Sequence, residues 1–265
     1  MIHQAKKSMG QNFLKSKEAL FKMCEASNLN DKDTILEIGP GKGALTEKLL
    51  EKAKLVIAVE KDRDLMEILS EKFEKEIENK RLLLLNEDIL YFDPKEHGIK
   101  EGDYKIVANI PYNITGSIIR RFLSETVRPI SMTLLVQKEV AERIVARDNK
   151  ESILSLSVKA YGNPKYIMKV HKRFFSPAPK VDSAIISINN ISNKSLGDNN
   201  SEELFFKIIK AAFAHKRKVL RKNLEEVGFD ILKIDSALKS LDINPKARAE
   251  DISFDKWIKI YTFFK

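Results

Sequence analysis

At 265 residues with 43% hydrophobic side chains, the chain can bury one large core and a smaller second one. No apolar run approaches the roughly 18 residues of a membrane span; a lone Cys24 excludes internal disulfides and multi-cysteine zinc sites, and the four histidines lack metal-ligand spacing. The net charge of +9 is concentrated, because residues 1–17, 165–180 and 207–222 carry 16 of the 47 basic side chains and no acid.

The first of these basic segments contains Lys6 and Lys7 but no apolar signal core, so a soluble, reducing, cytoplasmic setting without metal is expected. A helix from Ser16 to about Ser27 follows, with Ala19, Leu20, Met23 and Cys24 on one face. Thr34–Ile38 reads as a strand, Gly39-Pro40-Gly41-Lys42-Gly43 as a tight loop, and Ala44–Glu51 as a helix. The pattern then repeats: strand 55–60, a charged helix to about Glu78, and a strand 82–85 ending at Asn86-Glu87-Asp88. A strand 104–108 runs into Asn109, and a helix 116–123, a strand 131–137 and a helix 139–146 come next. Two β-prone runs, 166–170 and 183–188, flank Phe174-Phe175-Ser176-Pro177-Ala178-Pro179. Strands and helices alternating at this spacing predict an α/β fold built on a doubly wound, mostly parallel sheet. Residues 191–200 read as a polar linker, and 201–265 as a small all-helical domain with helices 203–227, 231–241 and 254–264. The expected division is therefore 1–190, 191–200 and 201–265.

In such sheets the ligand lies beyond the carboxyl ends of the strands. Gly39–Gly43, Glu60, Asp88 and Asn109 all sit there and should converge on one crevice. The glycines let a ligand approach the backbone, and Glu60 can take both hydroxyls of a ribose. Gly39, Gly41 and Ala44 also satisfy dinucleotide spacing, so this segment alone leaves NAD open. Glu37 and Asp88 surround the pocket with negative charge, which suits the cationic sulfonium and ammonium of S-adenosylmethionine better than a pyrophosphate. No hydride-relay His or Tyr/Lys pair can be placed for NAD chemistry.

Asn109-Ile110-Pro111-Tyr112 supplies the reaction centre. Pro111 fixes its own φ and biases Ile110 toward extended backbone. The Asn109 amide oxygen and the Ile110 carbonyl can then accept from one amino group, while Tyr112 and Phe175 offer ring faces for a flat base. A plain strand-to-turn boundary is the alternative for these four residues, and core packing is the alternative for one of Phe174 and Phe175. The basic segments, with Lys6, Lys7, Lys172, Arg173, Lys216, Arg217, Lys218 and Arg221, predict surfaces facing a polyanion; on a continuous helix Lys210, Arg217 and Arg221 would share a face. Solvated lysine faces are the plainer reading.

With these residues assembled, the chain resembles the small-subunit ribosomal RNA adenine dimethyltransferase family over nearly its whole length. Lys7-Ser8-Met9-Gly10-Gln11-Asn12-Phe13-Leu14 is similar to the family's N-terminal motif, with Met9 where Leu is usual. Glu37–Gly41, Glu60, Asp88 and Asn109–Tyr112 match its cofactor and catalytic motifs, and Phe175–Ser183 matches Phe-x-Pro-x-Pro-x-Val-x-Ser. Phe213–Arg221 and Arg248-Ala249-Glu250 resemble motifs of its helical domain. The resemblance implies a Rossmann-like methyltransferase sheet, S-adenosylmethionine as cofactor, and N6-dimethylation of two adjacent adenines in the 3′-terminal hairpin loop of small-subunit RNA. It implies cofactor contacts from Gln11, Asn12, Leu14, Glu37, Gly39, Gly41, Glu60, Asp88 and Asn109, with Asn12 and Leu14 closing over the cofactor. The 30S assembly intermediate is the expected partner, and a monomer the simple expectation. The related large-subunit enzymes of macrolide resistance share Asn-Ile-Pro-Tyr, and Ile110 leans their way. Lys180–Ala184 and Arg248-Ala249-Glu250 lean against them. A binding-only ribosome-assembly factor is the remaining alternative, opposed by the intact set of catalytic-type residues.

Overall fold

The computed structural model describes residues 5–6, 9–193, 196–197 and 199–265. In chain order the elements are β1 (Phe13–Leu14), α1 (Lys17–Ala26), β2 (Thr34–Ile38), α2 (Ala44–Leu50), β3 (Leu55–Val59), α3 (Arg63–Lys72), α4 (Glu74–Glu78), β4 (Leu82–Leu85), β5 (Tyr104–Asn109) and α5 (Thr115–Ser124). They continue with β6 (Ser131–Gln137), α6 (Lys138–Val145), α7 (Ile153–Lys159), β7 (Asn163–Val170), β8 (Phe175–Ser176), β9 (Ser183–Asn189), α8 (Asn199–Ala212), α9 (Leu220–Glu226), α10 (Ile231–Ser240) and α11 (Phe254–Phe264). Two compact units result, Met1–Ala141 with Asn163–Ile191, and Glu142–Gly162 with Ser192–Lys265.

The first unit is built on a seven-stranded sheet in the order β4-β3-β2-β5-β6-β9-β7. The five strands from β4 to β6 are parallel, while β9 runs antiparallel to both β6 and β7. The inner parallel strands β3, β2, β5 and β6 are buried on both faces, so they read as largely apolar runs rather than as alternations, while β4 at the edge leaves Leu83 exposed. Glu37, near the end of β2, is the buried carboxylate among them. Chain order reverses between β2 and β5, and their carboxyl ends form the switch point where a crevice must open. One face is covered by α1, whose Ala19, Leu20, Met23 and Cys24 pack with Ile35, Val107, Leu135 and Ile185. Serines bracket that helix: Ala19 N–H donates to Ser16 Oγ at 3.2 Å, and Ser27 Oγ donates to the Met23 carbonyl at 2.7 Å.

Several elements depart from the sequence reading. The charged helix expected to run to Glu78 breaks at Phe73, whose ring turns into the core beneath Gly43. Phe13–Leu14 and Phe175–Ser176 form a two-stranded antiparallel ribbon that no periodicity announces. The expected helix 203–227 is two helices. Asn223, 1% exposed, donates its amide to the carbonyls of Ala212 at 2.6 Å and His215 at 3.1 Å, and so satisfies the end of α8 in place of a further turn. Val219 is extended at φ −69°, ψ 150°, so Lys210, Arg217 and Arg221 lie on no common helix face.

The domain boundary also differs, since residues 142–162 group with the helical unit. The reason is visible in their bonds. Glu151 N–H donates to the Glu250 carbonyl at 2.8 Å, Ser192 N–H donates to the Tyr161 carbonyl at 2.8 Å, and the Tyr161 ring stacks on Phe206. Phe205, Trp257, Ile260 and Tyr261 form the centre of this unit. Helix α7, closed by a Ser152/Ser155 capping box, belongs to it.

Candidate active site

The loop after β2 turns on its glycines. Gly43 has φ +75°, and a Cβ there would lie 2.4 Å from Phe73 Cε2. Gly41 at φ +60° would bring a Cβ within 3.0 Å of Phe13 Cδ1. Backbone in this left-handed region, pressed against rings on two sides, admits only glycine. The loop thereby forms one wall of a cavity of about 680 Å³, a volume suited to a nucleoside-sized cofactor. All nine expected cofactor residues line it: Gln11, Asn12, Leu14, Glu37, Gly39, Gly41, Glu60, Asp88 and Asn109. Ile110, Pro111 and Tyr112 complete the far wall.

Three carboxylates set its electrostatics. Glu37 is 1% exposed, and its Oε2 has no partner among the described residues. Burial pushes this carboxyl up to about 8, against the lowering influence of Thr46. Glu60 is also raised by burial, although Gly41 N–H donates to its Oε2 at 3.1 Å and Asp62 N–H to its Oε1 at 2.9 Å. Burial raises Asp88 as well, but the Lys61 ammonium at 2.9 Å and the Leu90 amide at 3.0 Å outweigh it and hold the carboxyl below its usual range. A buried carboxyl oxygen without a partner among the described residues, two further acids and a glycine wall fit a cationic cofactor with a ribose and an amino-bearing base. They do not fit a pyrophosphate.

On the catalytic wall, Asn109 Nδ2 donates to the Asn12 carbonyl at 3.1 Å. Because a carbonyl can only accept, this bond settles which end of the amide faces the N-terminal segment and turns Oδ1 away from it. The Tyr112 hydroxyl lies 2.6 Å from Ser183 Oγ, and burial raises its pKa. Ser183 is fully buried on β9, so it fixes the tilt of a half-exposed ring.

Not every expected residue takes its expected place. Phe175 is 4% exposed within the core cluster and does not line the cavity, because the β1–β8 pairing turns it inward opposite Leu14 and leaves Ser176 on the cavity wall. It is therefore a core residue, not a stacking platform; Phe174 is the half-exposed ring, with the Arg173 guanidinium 5.0 Å above it. Gln11 lines the cavity, but its amide is engaged at both ends: Oε1 accepts from the Lys6 amide at 2.7 Å and Nε2 donates to Asp62 at 2.7 Å.

Among the basic residues, Lys6 is held by Asp62 at 2.6 Å and Asp64 at 2.8 Å and so faces protein acids. Lys218 pairs with Glu226, and Arg221 with Asp235 at 2.7 Å and Glu225 at 3.2 Å. Lys172, Arg173, Lys216 and Arg217 are exposed without an ion-pair partner among the described residues. Lys7 lies outside the described residues. Among those described, no cluster of His, Cys, Asp or Glu could hold a metal, and no helix is long and apolar enough to cross a membrane.

Sequence reasoning did not single out Asp62, and it placed Phe13 and Ser183 in family motifs without giving either a role in this site. Asp62 lies two residues past a strand end with nothing local to mark its distant partners, and Ser183 opens a β-prone run.

Residues 2–265 match the family model for ribosomal RNA adenine dimethylase. The ribosomal RNA small subunit methyltransferase A of Fusobacterium nucleatum is 44% identical over 267 residues, covering 100% of this chain and 99% of that protein. The protein of the same description from Clostridium botulinum (strain ATCC 19397) is 39% identical over 256 residues, covering 96% and 92%. Two solved structures are similar. The 23S rRNA methyltransferase ErmE has a TM-score of 0.81 at 25% identity, covering 95% of this chain and 99% of that one. A dimethyladenosine transferase from Plasmodium falciparum has a TM-score of 0.78 at 26% identity, covering 94% and 95%.

Proposed function

The chain belongs to the ribosomal RNA adenine dimethylase family, and from that premise we propose that it dimethylates N6 of two adjacent adenines in the 3′-terminal hairpin loop of small-subunit ribosomal RNA. It is a methyltransferase of ribosomal RNA that uses S-adenosylmethionine. The observation that carries the finer reading is the fixed Asn109 amide, whose Oδ1 is turned away from the Asn12 carbonyl beside a rigid Tyr112.

S-adenosylmethionine supplies the electrophilic methyl group. When it is bound, Glu60 would hold the ribose hydroxyls, Asp88 would accept from the adenine amino group, and Glu37 would balance the cationic end. Asn109 Oδ1 and the Ile110 carbonyl accept from the target N6 amine, whose lone pair is otherwise delocalised into the ring, and aim it at the methyl group. Tyr112 offers its face to the splayed base. Positioning supplies most of the acceleration. A strong general base is not needed, because the amine becomes acidic as the new bond forms.

Loop adenines suit this site, since single-stranded bases can be unstacked cheaply whereas A-form edges are hard to read. Lys172 and Arg173 on one unit and Lys216 and Arg217 on the other are the cations offered to phosphates, positioning RNA without reading its sequence. Replacing Lys216 and Arg217 with alanine is expected to weaken RNA binding and to flatten its logarithmic salt dependence by about one unit per lost phosphate contact. An unchanged slope in filter-binding titrations would place the RNA face elsewhere. The assembling small subunit is the proposed partner, the cytoplasm the proposed compartment, and a monomer the working species.

Glu37 gives a proton-linked signature. The folded protein holds its proton to about pH 8, whereas an unfolded glutamate releases it near 4.5, so the folded state binds more protons between those values. Stability of the cofactor-free protein therefore falls as pH rises through that window and is flat above it. A cation beside Glu37 reverses the preference and favours the carboxylate. Calorimetry of S-adenosylmethionine binding at pH 7, in buffers of different ionisation enthalpy, is expected to show release of nearly one proton, and none from Glu37→Gln. Proton-neutral binding by the unsubstituted protein would contradict the assignment.

The product test is direct. Unmethylated small subunits are incubated with the protein and S-adenosylmethionine, and the 3′-hairpin fragment is analysed by mass spectrometry. Dimethyladenosine at two adjacent positions is expected; a modified adenine outside that loop would overturn the target assignment.

A further inference from the structure

Asp62 takes no direct part in the reaction described above, yet it is 1% exposed and gathers more of the N-terminal segment than any other described acid. Lys6 Nζ donates to its Oδ1 at 2.6 Å, and Gln11 Nε2 donates to its Oδ2 at 2.7 Å. The segment is closed on itself at the same place, since Gln11 Oε1 accepts from the Lys6 amide and Met9 N–H donates to the Lys6 carbonyl at 3.1 Å. Charge-assisted bonds of this kind, on a carboxylate withdrawn from water, are among the stronger non-covalent anchors in a protein. The next residue after Gln11 is Asn12, whose carbonyl holds the amide of Asn109. After that come Phe13 and Leu14, which pair with Ser176 and Phe175. The segment is therefore fastened at Asp62 on one side of the cavity and at β8 on the other, and the contact that orients Asn109 lies between the two fastenings.

Asp62 also belongs to the cofactor wall. Its own amide donates to Glu60 Oε1 at 2.9 Å, and its side chain caps α3 by accepting from Asp64 N–H at 3.2 Å. A single loop thus grips both the carboxylate assigned to the ribose and the strap that completes the cavity.

We propose that Asp62 is a positioning residue for methyl transfer, acting through Gln11 and Lys6 to seat the N-terminal strap so that the Asn12 carbonyl fixes Asn109 with Oδ1 facing the target amine. If the strap is released, the Asn109 amide loses the bond that distinguishes its two ends. Half a turn about its terminal torsion then presents an N–H₂ donor to an amine that needs an acceptor. Cofactor retention and acceptor geometry are thereby tied to Asp62, with Asp64 a second partner of Lys6 at 2.8 Å. The inference rests on the proposed role of Asn109 and extends it to a residue that touches neither cofactor nor base.

Asp62→Asn is the informative variant, because asparagine keeps the shape and the helix cap while removing the charge. With the full-length protein, S-adenosylmethionine affinity is expected to weaken about tenfold and kcat to fall about tenfold, the scale on which loss of a supporting contact acts. Gln11→Ala should act in the same direction, and the double variant should lose little more than either single one. The readout that a purely structural role would not move is amide hydrogen exchange, measured without RNA. Residues 9–14 should exchange faster in Asp62→Asn while residues 65–72 of α3 keep their protection. Unchanged affinity and kcat in both variants would overturn the proposal, as would equal loss of protection in α3 and the strap, which makes Asp62 a helix cap only. Because cofactor affinity and exchange are read without RNA, failure of the small-subunit assignment would leave this test standing.

Discussion

Asn109→Ala is expected to lower methyl transfer by about 10³-fold, with single-turnover kinetics as the measurement. The amide oxygen is the acceptor that orients a weakly nucleophilic amine, and alanine removes it without leaving space that another protein oxygen fills. The variant also loses one neutral hydrogen bond to the Asn12 carbonyl, so cofactor affinity should fall by no more than about tenfold. Asn109→Asp separates the two functions. It keeps an acceptor but sets a carboxylate oxygen against the Asn12 carbonyl, so transfer should fall and the N-terminal segment should loosen. Wild-type turnover by Asn109→Ala would remove the residue from the mechanism. Loss of cofactor binding with an undiminished single-turnover rate at saturating cofactor would make it a binding residue only.

Gly43→Ala is expected to destabilise the protein by about 3 kcal/mol and to abolish cofactor binding at ordinary concentrations. Left-handed backbone costs a residue with a Cβ roughly 1–2 kcal/mol. Intrusion into a packed ring costs about 1–3 kcal/mol more, offset by up to about 1 kcal/mol from a stiffer unfolded chain. The ring is Phe73, with Cε2 and Cζ at 2.4 and 2.8 Å from where the Cβ would stand. For a chain of this size the loss corresponds to a fall in Tm of roughly 6–10 °C, measurable by calorimetry. Phe73→Leu should cost less in the Gly43→Ala background than in the wild type, because the clash is then partly relieved. Full additivity would mean that the loop moves away from Phe73 and that backbone strain alone carries the effect.

The parallel part of the fold and the cofactor crevice were legible because both rest on local patterns. Apolar runs bounded by Gly39–Gly43, Glu60, Asp88 and Asn109 mark strand ends, and a doubly wound sheet brings strand ends together whatever the rest of the chain does. Features that depend on distant pairing were not legible. Two-residue strands at 13–14 and 175–176 carry no periodicity, yet they decide that Phe175 is core and that Ser176 lines the cavity. The run from Phe213 to Lys218 consists largely of residues that tolerate helix, and it is broken by distant bonds, with the amide of Asn223 reaching back to Ala212 and His215 and the Leu220 amide donating to the Ala247 carbonyl. Charge counting identified basic segments but could not show which cations protein acids already hold. Lys6, Lys218 and Arg221 are paired, while Lys216 and Arg217 have no ion-pair partner among the described residues. Asp62 was hidden for the same reason, since its partners lie more than fifty residues earlier in the chain.

The most direct measurement is transfer of labelled methyl from S-adenosylmethionine to unmethylated small subunits, with large-subunit RNA in parallel. The account predicts about four methyl groups per small subunit, as expected for two doubly methylated adenines, and none on large-subunit RNA. Label confined to large-subunit RNA would put a different substrate on the same scaffold, and cofactor binding without transfer to either would contradict the catalytic reading of Asn109.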